Sequence, residues 1–483
     1  MKHKYDHNFF REISRYQTGS FIKKYAKLNS KIYSHKYSDD KNLLHINLSD
    51  YNLGKEGVLH LSHWSIRDII FQKIRRSYGN DSRKISRISD RNMYYIIGLY
   101  NNYEDELSKQ FLEEKSVIIY LFGLAEQQFR GQVNVFQNDK KRNSILFNEI
   151  DTENYFDIEV VIRELLGMKE IEFKAIMTIL LSMHISHGSI NPYKINISDD
   201  FFREGVITDF KSKLDRVIKY YTYSHSSESS NKLNYLRYRY LFAEHNETCV
   251  LIDGNMLEEK FADAELWLAR KYYNKNKHEY GKNYFPNKFG ILFEKYIEYV
   301  ATQEGVSEYL FNVNIPKKYN KFFDGSSIKP IAIKDPNTIA KRFYDFMEKI
   351  FDKAANQIKD AINSSIGTNK RIIGVIIHAE KAFIKTKVKH EYLDEKNLKK
   401  YKEILFLDIH DYELLIALLS KSSKMADEIL DDFIKNQTED KLDFIQIMEK
   451  KYNPKSFLDE IEVYDDKILK EFMSDKALKN HKK

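Results

Sequence analysis

The segment FFDGSSIKPIAIKDP, residues 322–336, holds an acid and an amine at a spacing that suits phosphodiester chemistry. Side chains alternate across a strand, so Ala332 and Lys334 share one face while the isoleucines beside them point towards the core. A tight turn at DGSS would bring Asp324 close to that face. With a carboxylate at position 332, two acids and one ammonium group would meet there.

Such a trio has a defined chemistry. Two carboxylates hold Mg²⁺ or Mn²⁺ through hard oxygen ligands. The metal polarises a phosphate and lowers the pKa of a bound water, while a lysine orients the water and offsets charge in the transition state. Ala332 occupies the position of the second carboxylate, so Asp324 and Lys334 could pair with each other instead.

The elements that must position this hairpin follow Pro286. Residues 288–305 predict a helix with Phe289, Leu292, Phe293, Tyr296 and Val300 on its buried face. Three strand-like runs come next, and a long amphipathic helix is predicted from Asp335 through the run KAANQIKDAI. The runs RIIGVIIH and EILFLDI predict buried strands, and DYELLIALLSK predicts a helix. The order is α-β-β-β-α-β, followed by β-α.

This order, with the motifs GILFEKYIEYV, Asp324…Ala332-Ile-Lys334 and KAANQIKDAI, resembles the PD-(D/E)XK, or restriction-endonuclease-like, nucleases over roughly residues 285–420. The resemblance implies an αβββαβ core with a mixed sheet, and cleavage of DNA that depends on Mg²⁺ or Mn²⁺. It assigns the family's site residues to five positions of this chain: a metal-assisting Glu294, the motif Asp324, the motif Lys334, a site-facing Gln357, and Ala332 where the family has Glu or Asp.

Ala332 is the departure from the family pattern, and three interpretations of it remain. It is an inactivating substitution in an otherwise intact nuclease site, a sign of a degenerate nuclease fold that binds without cutting, or part of an unrelated strand. We favour the first interpretation, because a decayed site would be expected to lose Asp324 or Lys334 as well.

Composition is compatible with a nucleic-acid partner but does not require one. Lys and Arg number 78 against 71 Asp and Glu in 483 residues, a net charge of +7. One cysteine excludes an internal disulfide framework and fits a cytoplasmic location. We expect neither a signal peptide nor a membrane span, because the apolar runs reach about half of the ~20 residues that a span needs.

The predicted fold class is α+β overall, in four parts. A large, mostly helical N-terminal domain (1–222) would sense a trigger, bind a partner protein or bind nucleic acid. A linker with connecting helices (223–285) leads to the restriction-endonuclease-like domain (286–424), and a helical basic extension (425–483) ends the chain. Periodicity is weak in residues 1–56 and helical from about 63 to 222.

Two arginine-rich segments are candidate nucleic-acid contacts, although a solvated helix face or structural packing explains such runs more often. The predicted contacts are Lys73, Arg75, Arg76, Arg83, Lys84 and Arg87 in the first segment, and Arg237 and Arg239 in the second. His184 and His187 stand three residues apart at a predicted helix end. We interpret them as helix-end histidines rather than as metal ligands.

The leading functional prediction is therefore a metal-dependent DNA endonuclease, inactive as written because of Ala332. Bacterial proteins with this layout resemble restriction or phage-defence (antiviral defence) effectors. The alternatives are a non-catalytic nuclease-fold module that binds nucleic acid or a partner protein, and a helical scaffold whose sheet is structural.

Overall fold

The structure is a computed structural model, and its helices far outweigh its small sheets, in agreement with the predicted α+β class. Among the helices described, none is both long and apolar enough to cross a bilayer. The residues that the structure describes are 4–35, 45–51, 58–77, 81–114, 136–188, 191–203, 206–223, 240–306, 356, 373–378, 404–421, 425–439, 448, 450–453, 456–460, 472 and 474.

The first half of the chain contains most of the helices. Their bounds, with those of the first strands, are α1 Lys4–Ser14, α2 Thr18–His35, β1 His45–Asn47, β2 Val58–His60, α3 His63–Arg75, α4 Asp90–Glu114, α5 Phe136–Ser144, α6 Ile158–Leu166, α7 Glu170–His187 and α8 Phe210–Tyr221. A π-helical turn, Ile145–Ile150, continues α5. Short 3-10 turns lie at Leu48–Tyr51, Asp81–Arg83, Pro192–Lys194 and Asp199–Phe201.

The second half alternates short strands with longer helices. The elements are β3 Thr222–Tyr223, β4 Phe242–His245, β5 Thr248–Leu251, α9 Gly254–Lys275, α10 Lys277–Tyr280, α11 Tyr284–Gln303, β6 Gly374–His378, β7 Ile404–Asp408, α12 Ile409–Lys421, α13 Ala426–Glu439 and α14 Phe457–Glu460.

Helix α3 forms where its apolar spacing predicts it. Ile66, Ile69, Ile70 and Ile74 are all fully buried, as expected for one stripe of an amphipathic helix. Ser62 stands at the N-cap position with extended backbone angles, but its side chain makes no capping bond to the helix. Its hydroxyl donates to Ser65 Oγ at 2.7 Å instead.

A three-stranded sheet separates two hydrophobic cores. β3 pairs with β4 in parallel, and β4 pairs with β5 antiparallel. Because side chains alternate along a strand, Phe242 and Leu251 face one core while Ala243 and Val250 face the other. Every residue of β5 is buried, since both faces of the sheet are covered.

The first core lies between helices α1 to α4 and one face of this sheet. The second core is larger and joins the π-helical turn Ile145–Ile150, α6 to α9, α11, β6, β7, α12 and α13. The strands predicted in 371–378 and 403–409 are confirmed as β6 and β7, which pair in parallel with Gly374 opposite Ile404. β7 is buried throughout as predicted, whereas most described residues of β6 are half-buried. The predicted buried face of α11 is confirmed as well, from Phe289 to Val300.

The domain boundaries at 222 and 286 stay predictions, and the described packing adds the following observations. Residues 145–221, predicted to belong with the N-terminal helices, share the second core with α11 and β7. The described part of the predicted linker, from 240 onwards, supplies β4, β5 and α9 to the interior. Residues 224–239 lie outside the described residues.

Candidate functional site

The structure describes one of the five residues that the resemblance assigns to the nuclease site. Glu294 is half-buried on α11. Asp324, Ala332, Lys334 and Gln357 lie outside the described residues, so their convergence stays a prediction. Within the described ranges, no three His, Cys, Asp or Glu side chains come together as ligands for a metal ion would.

Helix α11 is tied to the strand–helix unit formed by β7 and α12. The Tyr296 hydroxyl donates to Glu413 Oε1 at 2.6 Å. In return, the Tyr412 hydroxyl donates to the carbonyl of Ile297 at 2.8 Å. Both bonds are buried, and α12 continues directly from β7. The helix that carries Glu294 therefore has a fixed position relative to the parallel strands.

Arg142 of α5 extends this connection into a buried ionic cluster. Its guanidinium binds Glu413 with two bonds, Nε to Oε1 at 2.8 Å and Nη2 to Oε2 at 2.9 Å. Nη1 donates to Asp139 Oδ1 at 2.7 Å, and Nη2 donates to His410 Nδ1 at 3.1 Å. Because Nδ1 accepts, the ring proton sits on Nε2, which lies 3.4 Å from Asp139 Oδ1.

The neighbours of Glu413 in this cluster keep its carboxyl group ionised despite burial. Burial raises the pKa of the Glu413 carboxyl, but Arg142 and His410 outweigh burial and lower it to about 2. Glu413 is therefore ionised at neutral pH, with both oxygens accepting hydrogen bonds. A fully paired carboxylate of this kind holds elements together, and we assign the cluster a positioning role for α11 and α12.

A second buried cluster joins the two cores at the start of α9. Asp253 accepts from Asn255 N at 2.9 Å and so caps the helix. It also contacts His63 Nδ1 at 2.9 Å and Arg67 Nη1 at 3.4 Å, both on α3. Burial alone would raise the pKa of Asp253, but His63 and Arg67 outweigh it and hold the pKa well below its usual range.

His184 lies against the same helix start. Its Nδ1 is 2.8 Å from the carbonyl of Gly188, and its ring packs on Tyr33 at 4.7 Å between centroids. Burial lowers its pKa. His187 is exposed. The interpretation of these two residues as helix-end histidines therefore fits the structure, with His184 bonded to the backbone just past the end of α7.

A third cluster places two carboxyl groups on one phenol. The Tyr100 hydroxyl lies 2.8 Å from Asp68 Oδ2 and 2.8 Å from Glu104 Oε1. A hydroxyl has one proton to donate, so this arrangement favours a proton on one of the two carboxyl groups, which can then donate to the phenol oxygen. Burial, the largest influence, raises the pKa of Glu104 to about 7, so Glu104 carries a proton below that pH.

The first arginine-rich segment surrounds the turn between α1 and α2. Arg76, Arg83 and Arg87 are exposed, and Arg75 and Lys84 are half-buried. The Arg76 guanidinium lies 3.4 Å from the centroid of the Phe10 ring on α1.

Lys73 was predicted to be one of these phosphate contacts, but the structure buries it. Its side chain is 1% exposed, and its ammonium donates to the carbonyls of Ile13, at 2.9 Å, and Tyr16. Burial, assisted by Lys84, lowers its pKa to about 8. Lys73 follows Ile69 and Ile70 by four and three residues, so the helical spacing already places it on the buried stripe.

Arg237 and Arg239 lie outside the described residues, and their predicted contacts stay predictions. Searches of protein-family models, curated proteins and solved structures give no match to this chain. The functional proposal therefore depends on the residues of this chain and on their arrangement.

Proposed function

We propose that the chain has a PD-(D/E)XK nuclease domain that acts on DNA in the cytoplasm, and that Ala332 leaves this domain without its second motif carboxylate. The observation that supports the proposal is the packing of the helices and strands that flank the motif segment in the sequence. Helix α11, which precedes that segment, is hydrogen-bonded to α12, which follows the parallel strands β6 and β7. The element order that the nuclease fold requires is thus compatible with the described packing.

The residues proposed for metal binding suit Mg²⁺ or Mn²⁺. Glu294 and Asp324 would offer hard oxygen donors, which these cations prefer over nitrogen or sulfur. When bound, the metal would polarise the phosphate and lower the pKa of a bound water. Lys334 would orient that water and offset negative charge at the phosphate, and Gln357 would face the same site.

The direct test is to replace Ala332. Ala332→Glu restores the family pattern, and the matched control Ala332→Gln adds similar volume without the charge. We expect Ala332→Glu to degrade plasmid DNA in the presence of Mg²⁺ or Mn²⁺, and Ala332→Gln to be inactive. Adding Lys334→Ala, or Glu294→Gln, to the active variant should abolish cleavage. An Ala332→Glu protein that binds Mg²⁺ and stays inert would defeat the catalytic proposal.

A second candidate function follows from Ala332 itself. A nuclease fold that lacks one metal carboxylate can still bind nucleic acid or a partner protein, as a restriction or phage-defence component that recognises without cutting. Binding that is unchanged between the native chain and Ala332→Glu, with cleavage in neither, would favour this function. A chain that binds no nucleic acid but co-purifies with one fixed partner would favour a scaffold.

A further inference from the structure

Two segments distant in the sequence form one rigid surface at the end of the first core. Ile85 N donates to the carbonyl of Arg15 at 2.9 Å, and Gln17 N donates to the carbonyl of Ile85 at 2.9 Å. Thr18 N, at the start of α2, donates to Asp81 Oδ2 at 2.7 Å. The end of α1 and the segment that follows α3 are therefore held side by side.

Lys73 holds the end of α1 in this position from the buried side. Its buried ammonium donates to the carbonyls of Ile13 and Tyr16, which belong to the last turn of α1 and the turn after it. Carbonyls at the C-terminus of a helix carry partial negative charge, so a buried cation is well placed there. Lys73 is thus a positioning residue for the surface above it.

Positive charge dominates the described part of this surface, which we name the basic surface. Its basic side chains are Arg11, Arg15, Lys24, Arg75, Arg76, Arg83, Lys84, Arg87 and Arg91, and its acidic ones are Glu12, Asp81 and Asp90. Each acid has a cation of the same surface beside it. The ion pairs are Glu12 with Arg15 at 2.9 Å, Asp81 with Lys84 at 2.7 Å, and Asp90 with Lys24 at 2.5 Å.

We infer that the basic surface binds the phosphate backbone of a nucleic acid, and that the end of α1 takes part together with the segment 75–91. The three acids pair with Arg15, Lys24 and Lys84, and the planar guanidinium group of an arginine binds phosphate with two hydrogen bonds. Arg11, Arg83 and Arg87 are exposed. This inference rests on the proposed function for the identity of the partner, but it requires no residue of the nuclease motif.

Binding of this type is recognised by its salt dependence. Each phosphate contact that displaces a counterion adds roughly 0.9 to the slope of log K against log salt. We would measure fluorescence anisotropy of the full chain with a labelled mixed-sequence DNA duplex and with a labelled single strand of equal length. Salt would range from about 50 to 200 mM, the range over which such contacts lose most affinity.

The decisive variants lie in the two segments. R83A/R87A should reduce the slope by about two, and Arg11→Ala by about one. K275A/K277A, at two exposed lysines around the end of α9, is the matched control and should leave affinity and slope unchanged. Lys73→Met should lower the thermal stability of the chain. The salt slope of DNA binding by the folded variant should equal the native slope, because the buried Lys73 ammonium contacts no phosphate.

The outcomes separate this inference from the catalytic proposal. Native slopes in both R83A/R87A and Arg11→Ala would overturn the inference, whatever Ala332→Glu does. Binding to anionic vesicles that these variants abolish, without binding to either DNA probe, would also overturn it. An Ala332→Glu protein that is inert, but whose DNA binding still depends on Arg11, Arg83 and Arg87, would contradict the catalytic proposal. It would support phosphate binding by the basic surface.

Discussion

Replacing Glu104 by glutamine should remove a pH dependence from the stability of the first core. Tyr100 contacts both Asp68 and Glu104 at 2.8 Å, so a protonated Glu104 can donate to the phenol oxygen while Tyr100 donates to Asp68. A glutamine amide can donate to the phenol oxygen as a protonated carboxyl does, while Tyr100 continues to donate to Asp68. Glu104→Gln therefore mimics the protonated form at every pH.

The magnitude follows from the pKa of Glu104, which burial raises from 4.5 to about 7. Between these two values the folded protein binds more protons than the unfolded chain does. The free energy of unfolding therefore falls as pH rises through this window, and the contribution of Glu104 levels off above pH 7. A shift of this size corresponds to at most about 3 kcal/mol.

The assay is urea unfolding at pH 4.5 and at pH 8, for the native chain and for Glu104→Gln. The two proteins should have similar stability at pH 4.5, and the variant should be more stable by up to about 3 kcal/mol at pH 8. Glu106→Gln is the matched control, because Glu106 lies on the same helix and pairs with Lys109 at 3.5 Å. A Glu104→Gln protein that is less stable at pH 8, or that keeps the native pH slope, would refute the shared proton.

Two further substitutions test the buried clusters. Arg142→Met should destabilise the chain by about 3–5 kcal/mol in urea unfolding, because Glu413 is then buried without its cation. The double variant Arg142→Met/Glu413→Leu should recover most of this loss. A double variant as unstable as Arg142→Met would contradict this explanation. Gly254→Ala should cost about 1–3 kcal/mol, since the new Cβ would lie 2.2 Å from His184 Nε2 and 2.7 Å from Tyr33. In a double-mutant cycle, His184→Ala should relieve the part of that cost that comes from His184, whereas fully additive losses would show that this overlap is absent.

Periodicity in the sequence predicts the helices in which apolar residues occupy every position of the buried face. The isoleucine stripe of α3 and the face of α11 from Phe289 to Val300 are buried as their spacing indicates. The strands β6 and β7 follow from uninterrupted apolar runs. Helices α1 and α2 were not predicted, although the buried Phe9 and Ile13 of α1 and Phe21 and Ile32 of α2 follow helical spacing. In α2, Tyr25 also donates a buried hydrogen bond to the carbonyl of Met93 at 3.1 Å.

The polar clusters could not be predicted, because their members are far apart along the chain. His63 and Asp253 are 190 residues apart, and Arg142 and Glu413 are 271 apart. No local spacing relates such pairs, and only the packing of α3 on α9 or of α5 on α12 brings them together. Lys73 is different, since its place on the stripe of α3 already argued for burial over phosphate contact.

A crystal structure of Ala332→Glu grown with Mn²⁺ is the sharpest test of the metal site proposed at residues 324, 332 and 334. We predict one Mn²⁺ bound by oxygens of the carboxylates at 324 and 332, with the Lys334 ammonium on the same side of the sheet and Glu294 nearby. An Asp324 carboxylate and a Lys334 ammonium on opposite sides of the sheet would contradict it.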